Sequence, residues 1–582
     1  MPPPFAPRSG TTGRQARHAD EPAGWRRRMP RLLRETFGLP RLREAQAVVI
    51  ERVMQGRPTL AVMPTGAGKS LCYQLPALLL PGTTVVVSPL IALMKDQCDK
   101  LVELGVPAVQ LHSALSAGET RDAETAIEAG RGRIVFTTPE RLAEPGFLDL
   151  VSRHPVGLLV VDEVHCLSQW GHDFRPAFLE IGPAWQRLGR PRLLALTATA
   201  TSTVIEDVVS QLRVPGLEVL AASTYRPNLY FSVERFTAPA ARVERLVHVV
   251  RELQGPGIVY AATVKMAEDV HQALRAAGIA AECYHGRLGS AQRRQAQDAF
   301  MDGRARVMVA TNAFGLGIDK ADNRFVIHCQ MPGSLDAYYQ EAGRAGRDGQ
   351  PASCVLLFDE RDKAVQRFLM AGRYPGEEEV RQVLQTLERL GECQLAQLQA
   401  ECPAPRNKVQ VALRLLRQAG LVLQNRQRRL KLAEGHPGMA GIGPLVQAYR
   451  DKAEHDREML EAMVFYGRTG YCRWKVLLEY FEEEQAFEHC GHCDNCLRQE
   501  ARQQAESVTA QDHAEDAPAA SVDADGRNGA PRLRPGEAVR VPRYGEGEVV
   551  EANAEHVRIA FPSGRQRSFL PEYVERIEDE AA

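Results

Sequence analysis

Hydrophobic positions over much of the chain form short continuous runs that alternate with stretches of helical periodicity. The alternation covers residues 37–212 and restarts near residue 249. Strands that are apolar on both faces belong to parallel sheets covered by helices. The pattern therefore predicts two successive α/β domains, residues 31–222 and 223–372, with a joint near residues 223–236. The predicted strands are residues 84–87, 133–136, 158–161, 193–196, 257–260, 281–284, 306–309 and 325–328.

After residue 375 the pattern becomes helical. The segment 377–390 is amphipathic, with Val380, Leu384 and Leu387 on one face. Gly420 lies where a helix end favours glycine. Two further helices and a two-strand hairpin are predicted at residues 395–400, 406–419 and 421–432. Three helices followed by a hairpin predict a winged-helix-like module over residues 373–438.

The remaining segments differ in composition. Residues 1–30 are rich in Pro, Arg and Gly, which predicts a disordered basic tail. Residues 439–497 are helical up to a cysteine cluster, and residues 498–531 are Ala, Gln, Asp and Glu with little to bury, which predicts a disordered linker. Residues 532–582 contain short alternating strands between glycine-containing turns, which predicts a small β-barrel.

Length, charge and cysteine usage narrow the class of protein. A chain of 582 residues fits roughly three to five domains. Its net charge of -1 means that affinity for nucleic acid must come from local basic patches. No apolar run reaches the ~20 residues of a membrane span, and the N-terminus lacks the apolar segment of a secretory signal. Most of the 12 cysteines stand singly among apolar residues, as in a reducing compartment, so we expect a cytoplasmic protein without membrane contact.

Residues 62–70 (Val-Met-Pro-Thr-Gly-Ala-Gly-Lys-Ser) follow a predicted strand and open a predicted helix. Gly66 and Gly68 let backbone N–H groups close around phosphates, and the helix N-terminus favours the anion. Lys69 would then reach the β- and γ-phosphates, and Ser70 would hold Mg²⁺. The segment predicts a nucleotide site for ATP with Mg²⁺.

Two carboxylates end the apolar strand 158–161, in the sequence Asp162-Glu163-Val164-His165. Carboxylates at such a position are costly to bury unless they have a function. Asp162 suits the Mg²⁺ shell, and Glu163 suits the base that orients the attacking water. His165 is a candidate for linking the state of the nucleotide to the rest of the domain.

A third element of the site is predicted in the second domain, where residues 338–349 contain Arg344 and Arg347. The spacing of three residues predicts that the two arginines lie on one helical face and point the same way. Across a cleft from the first domain, they would stabilise charge on the transferring phosphoryl group.

Four cysteines have the spacing of a metal site: Cys472, Cys490, Cys493 and Cys496. Two C-x₂-C steps and one distant cysteine supply four soft ligands for a tetrahedral Zn²⁺ that folds the helical segment. His489 and His492 are alternative ligands. An iron–sulfur cluster or ordinary reduced thiols are alternative interpretations.

Taken together, these motifs resemble superfamily 2 helicases with an Asp-Glu-x-His box, which share the departure from a strict P-loop at Met63. Residues 88–97, 137–140, 196–200 and 310–320 resemble further helicase motifs in the same order. Residues 167–176 (Leu-Ser-Gln-Trp-Gly-His-Asp-Phe-Arg-Pro) resemble the aromatic-rich loop of RecQ helicases and narrow the family. The resemblance covers roughly residues 37–359 and resumes at the cysteines.

The resemblance implies an ATP-dependent DNA helicase, moving 3′ to 5′, that acts on duplex or branched DNA in recombination and repair. It implies two tandem RecA-like domains, ATP, Mg²⁺ and Zn²⁺ as cofactors, and association with the nucleoid. Gln46 would recognise the adenine edge, and the other implied nucleotide contacts are Arg43, Thr65, Ala67 and Gln340. In the aromatic loop, Trp170 and Phe174 would stack on bases of single-stranded DNA and Arg175 would contact phosphate.

The order of the modules departs from that of the family. The winged-helix-like module precedes the cysteines instead of following them. Two parts of this module are candidates for contact with the DNA backbone. They are its polar face, which includes Lys408 and Arg414, and the basic run that ends at Lys431. A solvated charged hairpin is the alternative interpretation of the run.

The C-terminal barrel is similar to the Tudor-like barrel that ends UvrD-type helicases. The similarity implies a protein partner such as RNA polymerase or a repair factor. A tethered nucleic-acid-binding barrel is the alternative interpretation.

Two other functions fit parts of the same pattern. An RNA helicase shares the Asp-Glu-x-His box, although the loop at Trp170 and the four cysteines favour DNA. A DNA-bound adaptor whose ATPase only switches a clamp is the other hypothesis, and DNA-stimulated hydrolysis without strand separation would favour it.

Overall fold

The structure is a computed structural model that describes residues 24–168, 175–314, 320–371, 374, 376–425, 427, 429–433, 442–484, 487–514, 533–541, 545–552, 557–561, 566–569 and 574–577. The chain divides into two compact units, Met1–Leu497 and Arg498–Ala582. Among the described residues, no helix is both long and apolar enough to span a membrane.

The first domain contains a seven-stranded parallel sheet in the order β3-β4-β2-β5-β6-β1-β7. Successive residues of its strands enter cores on opposite faces, Leu158 and Val160 on one side and Leu159 and Val161 on the other. All four predicted strands are confirmed, as β2, β4, β5 and β6. The strands are β1 (Thr59–Val62), β2 (Thr83–Val87), β3 (Ala108–Leu111), β4 (Ile134–Thr137), β5 (Val156–Val161), β6 (Arg192–Thr197) and β7 (Glu218–Ala221).

Nine helices cover the two faces of this sheet in the part of the domain that is described. They are α1 (Trp25–Glu35), α2 (Glu44–Met54), α3 (Leu71–Leu79), α4 (Ile91–Glu103), α5 (Ala117–Glu128), α6 (Pro139–Leu142), α7 (Pro145–Val151), α8 (Ile181–Arg187) and α9 (Ser202–Leu212). Short 3₁₀ turns occupy Val164–Leu167 and Pro176–Glu180.

The second domain contains a six-stranded parallel sheet in the order β10-β11-β9-β12-β13-β8. The four predicted strands are confirmed as β9 to β12. The predicted joint near residues 223–236 is wrong in part, because β8 occupies most of it and forms an edge of this sheet. The elements are β8 (Leu229–Phe236), α10 (Pro239–Glu252), β9 (Gly257–Tyr260), α11 (Val264–Ala276), β10 (Ala281–Tyr284), α12 (Ser290–Met301), β11 (Val307–Ala310), a 3₁₀ turn (Asn312–Phe314), β12 (Phe325–His328), α13 (Leu335–Ala342), β13 (Ala352–Asp359) and α14 (Asp362–Ala371).

Three helices and a hairpin follow, as the sequence predicts. A separate small core of buried side chains, including Val380, Leu387 and Leu416, holds them together. Gly420 has φ +71° and ends the third helix, where its N–H donates to the carbonyl of Arg417. The elements are α15 (Glu377–Leu390), α16 (Leu395–Glu401), α17 (Arg406–Gln418), β14 (Val422–Gln424) and β15 (Leu430–Leu432).

The cysteine-containing segment packs against the second sheet. It consists of α18 (Ile442–Arg468), α19 (Arg473–Tyr480) and the start of α20 (Asp494–Ala514). Trp474 and Cys493 belong to the same buried core as Leu229 and Phe231 of β8. This segment is therefore part of the second domain's core.

Two predictions of disorder are wrong over part of their length. The basic tail was predicted to reach residue 30, yet α1 begins at Trp25, whose buried indole anchors it. The linker was predicted to begin at residue 498, yet α20 continues to Ala514. The reason is that Ala, Gln, Glu and Arg are strong helix formers, so a segment with little to bury can still be helical. Residues 1–23 and 515–532 lie outside the described residues.

The C-terminal unit contains a five-stranded antiparallel sheet in the order β19-β18-β17-β16-β20, at the place predicted for a small barrel. Side chains alternate along residues 538–541 and 557–560, and Val539, Val541, Val549 and Ile559 are buried together. The fifth strand was not predicted because it has only two residues. The strands are β16 (Ala538–Val541), β17 (Gly545–Ala552), β18 (Val557–Ala560), β19 (Gln566–Phe569) and β20 (Glu575–Arg576).

Candidate functional site

The predicted phosphate loop joins β1 to α3. Gly66 has φ +84° and Gly68 has φ +78°, a backbone region that favours glycine. The side chain of Lys69 folds back into the loop, where Nζ donates to the carbonyl of Met63 at 3.2 Å. Ser70 stands at the N-cap of α3. The loop therefore presents a lysine and a helix N-terminus at one end of the sheet, as an anion site requires.

Two residues of the preceding segment hold this loop. Gln46 Nε2 donates to the carbonyls of Ala67 and Gly68, both at 3.1 Å, and its Oε1 accepts the N–H of Arg43 at 2.9 Å. The guanidinium of Arg43 donates to the carbonyl of Gly66. The structure thus brings Arg43 and Gln46 onto the phosphate loop, with the amide of Gln46 engaged by backbone.

The two predicted carboxylates follow β5 and face the loop. Asp162 is buried, and burial together with the neighbouring Glu163 raises its pKa to about 7 although Lys69 opposes the shift. Burial lowers the pKa of Lys69, against the attraction of Glu163 and Asp162. The three groups therefore interact electrostatically at one site.

A chain of polar contacts leads from Glu163 to the second domain. Its carboxylate lies 3.3 Å from His165 Nδ1, which also contacts Thr197 Oγ1 at 2.9 Å. Thr197 donates to the carbonyl of Thr199, and Gln340 Nε2 of α13 donates to Thr199 Oγ1 at 3.3 Å. The sequence suggested a linking role for His165 but not the threonines that continue the path.

The two candidate arginines lie near the cleft but not on one helical face, so that prediction is wrong. Helix α13 ends at Ala342, and the next residues form a turn in which Gly346 has φ +54°. Arg344 is buried beside Tyr260. Burial raises the pKa of Tyr260 to about 12, and the positive charge of Arg344 opposes this rise. Arg347 packs against the phosphate loop, since a Cβ at Gly66 would stand 3.2 Å from its Cγ.

One residue that the sequence did not single out joins the two sides of the cleft. Arg226 Nη1 donates to the carbonyls of Thr65 at 3.3 Å and Gly343 at 2.8 Å. Its Nη2 donates to the carbonyls of Ala345 at 2.9 Å and Gly346 at 2.5 Å. Every acceptor is a backbone carbonyl, and backbone acceptors leave no signature in the sequence.

The predicted DNA-contacting residues are placed only in part. Trp170 and Phe174 lie outside the described residues, as does the side chain of Arg414 on α17. Arg175 Nη1 donates to the carbonyl of Pro89 at 3.0 Å, which ties the end of the aromatic segment to the loop after β2. Lys408 does not face outward as expected, because Nζ donates to the carbonyls of residues 371 and 374 at 2.8 and 2.7 Å.

The four predicted cysteines converge. The Sγ atoms of Cys472, Cys490, Cys493 and Cys496 all lie within 4.8 Å of one another, and neither His489 nor His492 belongs to the group. The Nδ1 atom of His492 instead contacts the carbonyl of Cys490 at 2.8 Å. A tetrahedral ion with bonds of about 2.3 Å to sulfur holds its sulfurs roughly 3.8 Å apart. The separation of 3.9 Å between Cys490 and Cys496 fits one zinc ion.

Backbone N–H groups surround these sulfurs. The N–H of Arg473 donates to Cys493 Sγ at 3.4 Å, and that of Cys490 donates to Cys472 Sγ at 3.3 Å. Such donors stabilise thiolates and orient them toward a metal. The surroundings of the donor set therefore suit a closed structural zinc site.

The fold and these sites define a two-domain, ATP-dependent helicase with a zinc-binding segment. Comparison with known families agrees: the DEAD/DEAH box helicase family matches residues 43–208, the helicase conserved C-terminal domain matches residues 241–349, and the RecQ zinc-binding family matches residues 425–497.

The similarity to individual proteins identifies the family. The chain is 36 % identical to the ATP-dependent DNA helicase RecQ of Synechocystis over 81 % of this chain and 98 % of that one. It is 34 % identical to the probable ATP-dependent DNA helicase RecS of Bacillus subtilis over 80 % of this chain and 92 % of that one. The chain belongs to the RecQ family of ATP-dependent DNA helicases, whose members bind ATP with Mg²⁺ and, in this segment, Zn²⁺.

Two further comparisons show how much of the chain is similar to a relative in sequence and to a solved structure in fold. The RecQ helicase of Bacillus subtilis is 42 % identical over 62 % of this chain, and this match spans only 61 % of that protein. A solved structure of the DUF1998 helicase MrfA bound to DNA and AMPPNP aligns with a TM-score of 0.50 at 20 % identity, over 74 % of this chain and 65 % of that one. The latter supports the fold alone.

Proposed function

We propose that this chain uses ATP hydrolysis to move 3′ to 5′ along one DNA strand and to separate duplex or branched DNA in recombination and repair. The observation that carries the proposal is the cleft itself. The phosphate loop and the carboxylates of the first domain face Arg347 and the turn after α13 in the second domain. Opening and closing of such a cleft is how nucleotide turnover becomes movement.

Each residue at the cleft has a proposed role. Lys69 binds the β- and γ-phosphates, Ser70 and Asp162 hold Mg²⁺, and Glu163 orients the attacking water. Arg344 and Arg347 stabilise charge in the transition state. Gln46 recognises adenine, which requires its amide to leave the loop carbonyls that it now contacts.

The polar path through His165, Thr197 and Thr199 supports a link between hydrolysis and domain movement. It starts at the proposed base, Glu163, and ends on Gln340 of the second domain. Rotation of either domain would break or remake the Gln340–Thr199 bond.

The proposed DNA contacts are Trp170, Phe174 and Arg175 in the first domain and Arg414 in the three-helix module. Single-stranded bases would stack on the two aromatic rings, and the arginines would contact phosphates. Association with the nucleoid follows from DNA binding.

The C-terminal sheet is proposed to bind a protein partner such as RNA polymerase or a repair factor. Buried side chains alternate with exposed or half-buried ones along β16 and β18, which leaves one face of the antiparallel sheet accessible. The proposed limits of the modules are residues 25–222, 223–372, 373–438, 439–497 and 532–582, with the first limit moved from residue 31 to the start of α1.

The test is ATP-dependent unwinding of duplexes that carry either a 3′ or a 5′ single-stranded tail, with Lys69→Ala as the control. We expect unwinding from the 3′ tail alone and its loss in the variant. DNA-stimulated hydrolysis without unwinding from either tail would leave a switch or a translocase. Equal stimulation of hydrolysis by RNA and DNA would point to an RNA helicase.

A further inference from the structure

The connector between the two sheets, residues 222–228, runs between the nucleotide cleft and the zinc-binding segment. The carboxylate of Glu483 accepts hydrogen bonds from Ser223 Oγ at 2.9 Å and from the N–H of Thr224 at 2.8 Å. The next residue, Tyr225, packs its ring against those of Trp474 and Phe487, with centroids 4.9 and 5.0 Å away. Three consecutive connector residues are therefore held by the zinc-binding segment.

The following residue, Arg226, points into the cleft. It is half-buried, and its four carbonyl acceptors come from two loops of different domains. Its Nη1 also lies 3.5 Å from the position of a Cβ at Gly66, so the guanidinium touches the phosphate loop itself. Burial lowers the pKa of Arg226, and carbonyl dipoles from both loops compensate its charge.

The chemistry of these bonds indicates positioning rather than contact with substrate. A guanidinium offers five donors in a rigid plane, and a single such group can fix several carbonyls at once. Three of the four acceptors, Gly343, Ala345 and Gly346, flank Arg344 and precede Arg347. Arg226 therefore helps to fix the turn that carries both arginines, together with the amides of Asn228 and Asn323, which donate to the carbonyls of Gly346 and Arg344.

We propose that Arg226 is the positioning residue that holds Arg344 and Arg347 at the phosphate loop, and that the zinc-binding segment fixes Arg226 through Tyr225 and Glu483. The inference rests on the proposed function, since it assigns a role within ATP hydrolysis. By this proposal, the zinc-binding segment contributes to ATP hydrolysis through the connector 222–228, in addition to its role in the fold.

The test is steady-state ATP hydrolysis at saturating single-stranded DNA for Arg226→Met and Arg226→Lys. Because Arg226 acts on groups used in the transition state, kcat should fall about 100-fold, the effect of a small misplacement of catalytic groups, while KM for ATP changes less than about threefold. Lysine carries a single nitrogen that cannot span both loops, so it should restore less than about a tenth of the activity.

Arg306→Met is the matched control. Arg306 is also half-buried and donates only to backbone carbonyls, those of Gly255, Val250 and Leu253, within the second domain and away from the cleft. Its loss should lower the melting temperature and leave kcat near that of the wild type. An equal fall of kcat in Arg226→Met and Arg306→Met, or a wild-type kcat in Arg226→Met, would overturn the proposal.

Glu483→Gln tests the link to the zinc-binding segment. The change keeps the shape of the side chain but weakens its bonds to the connector, so kcat should fall about threefold to tenfold while zinc content stays at one ion per chain. Unchanged kcat in this variant would refute the link. Failure of the proposed function is distinguishable. A wild-type protein that hydrolyses ATP with DNA but separates no strands would fail the unwinding test, whereas the kcat of these variants would still decide the present proposal.

Discussion

The indole N–H of Trp474 donates to the backbone carbonyl of Leu229 at 3.3 Å. Leu229 begins β8, the edge strand of the second sheet, and Asp494 accepts the N–H of Val233 in the same strand at 3.0 Å. Exposed edges of sheets pair readily with other chains, and proteins cover them. Here the segment that carries the zinc ligands covers the edge with side-chain hydrogen bonds.

The first prediction concerns Asp494, which also binds the buried Arg473 at 2.9 Å. Asp494→Asn leaves that guanidinium without its counter-charge, which should lower the free energy of unfolding by about 3–5 kcal/mol. Chemical denaturation measures the change. The control is Asp149→Asn, which breaks the exposed ion pair with Arg187 and should cost less than about 1 kcal/mol. Similar costs for the two variants would contradict this account of Asp494.

A second prediction concerns the metal. Cys493→Ser removes a buried ligand and should reduce bound zinc, measured by elemental analysis, from one ion per chain to a small fraction. Cys283→Ser changes a half-buried cysteine outside the cluster and should retain the ion. Full zinc occupancy in Cys493→Ser, or visible absorption typical of iron–sulfur clusters in the wild type, would argue against the zinc assignment.

The fold was predictable where strands are buried on both faces. Strands β2, β5 and β9 are continuous apolar runs because helices cover both sides of the sheet. Of the four edge strands of the two parallel sheets, β10 was predicted, whereas β3, β7 and β8 were not. The edge strand β8 alternates buried and half-buried residues, and β7 is mostly half-buried, so neither produces a continuous run.

The site was predictable to the extent that side chains carry its chemistry. Lys69, Asp162 and the four cysteines stand in motifs, and the structure brings each set together. Arg226 could not be found this way, since its partners are backbone carbonyls whose positions only the fold defines. The two arginines after α13 were placed on a helix because the spacing alone does not reveal that Gly343 and Gly346 end it.

A third prediction concerns the packing of the phosphate loop. A Cβ at Gly68 would stand 2.3 Å from Gln46 Nε2, in a backbone conformation with φ +78°. Gly68→Ala should therefore displace Gln46 and raise KM for ATP about tenfold or more, in addition to a strain of about 1–2 kcal/mol.

The control for this variant is Gly105→Ala. Gly105 has a similar φ of +74° but no neighbouring atom within 4 Å of the added Cβ. The Gly105→Ala variant should have a lower melting temperature because its backbone is strained, and its KM for ATP should be unchanged. A normal KM in Gly68→Ala would mean that the contact between Gln46 and the loop is not needed for nucleotide binding.

The last prediction follows from the pKa of Asp162, which burial raises from 3.8 to about 7. Between about pH 4 and pH 7 the folded, nucleotide-free protein holds a proton on this carboxyl that the unfolded chain has released. Stability contributed by this group therefore falls as pH rises through that window, by up to about 1.4 kcal/mol for each pH unit, and is constant above it. Asp162→Asn removes this titration, so the variant should lose less stability than the wild type between pH 5 and pH 7. Chemical denaturation without Mg²⁺ or ATP measures the free energy of unfolding at each pH. The difference between the two pH profiles reports Asp162 together with the charged neighbours with which it interacts, Glu163 and Lys69. Parallel profiles would mean that Asp162 is already ionised at pH 5, and that Lys69 outweighs burial in setting its charge.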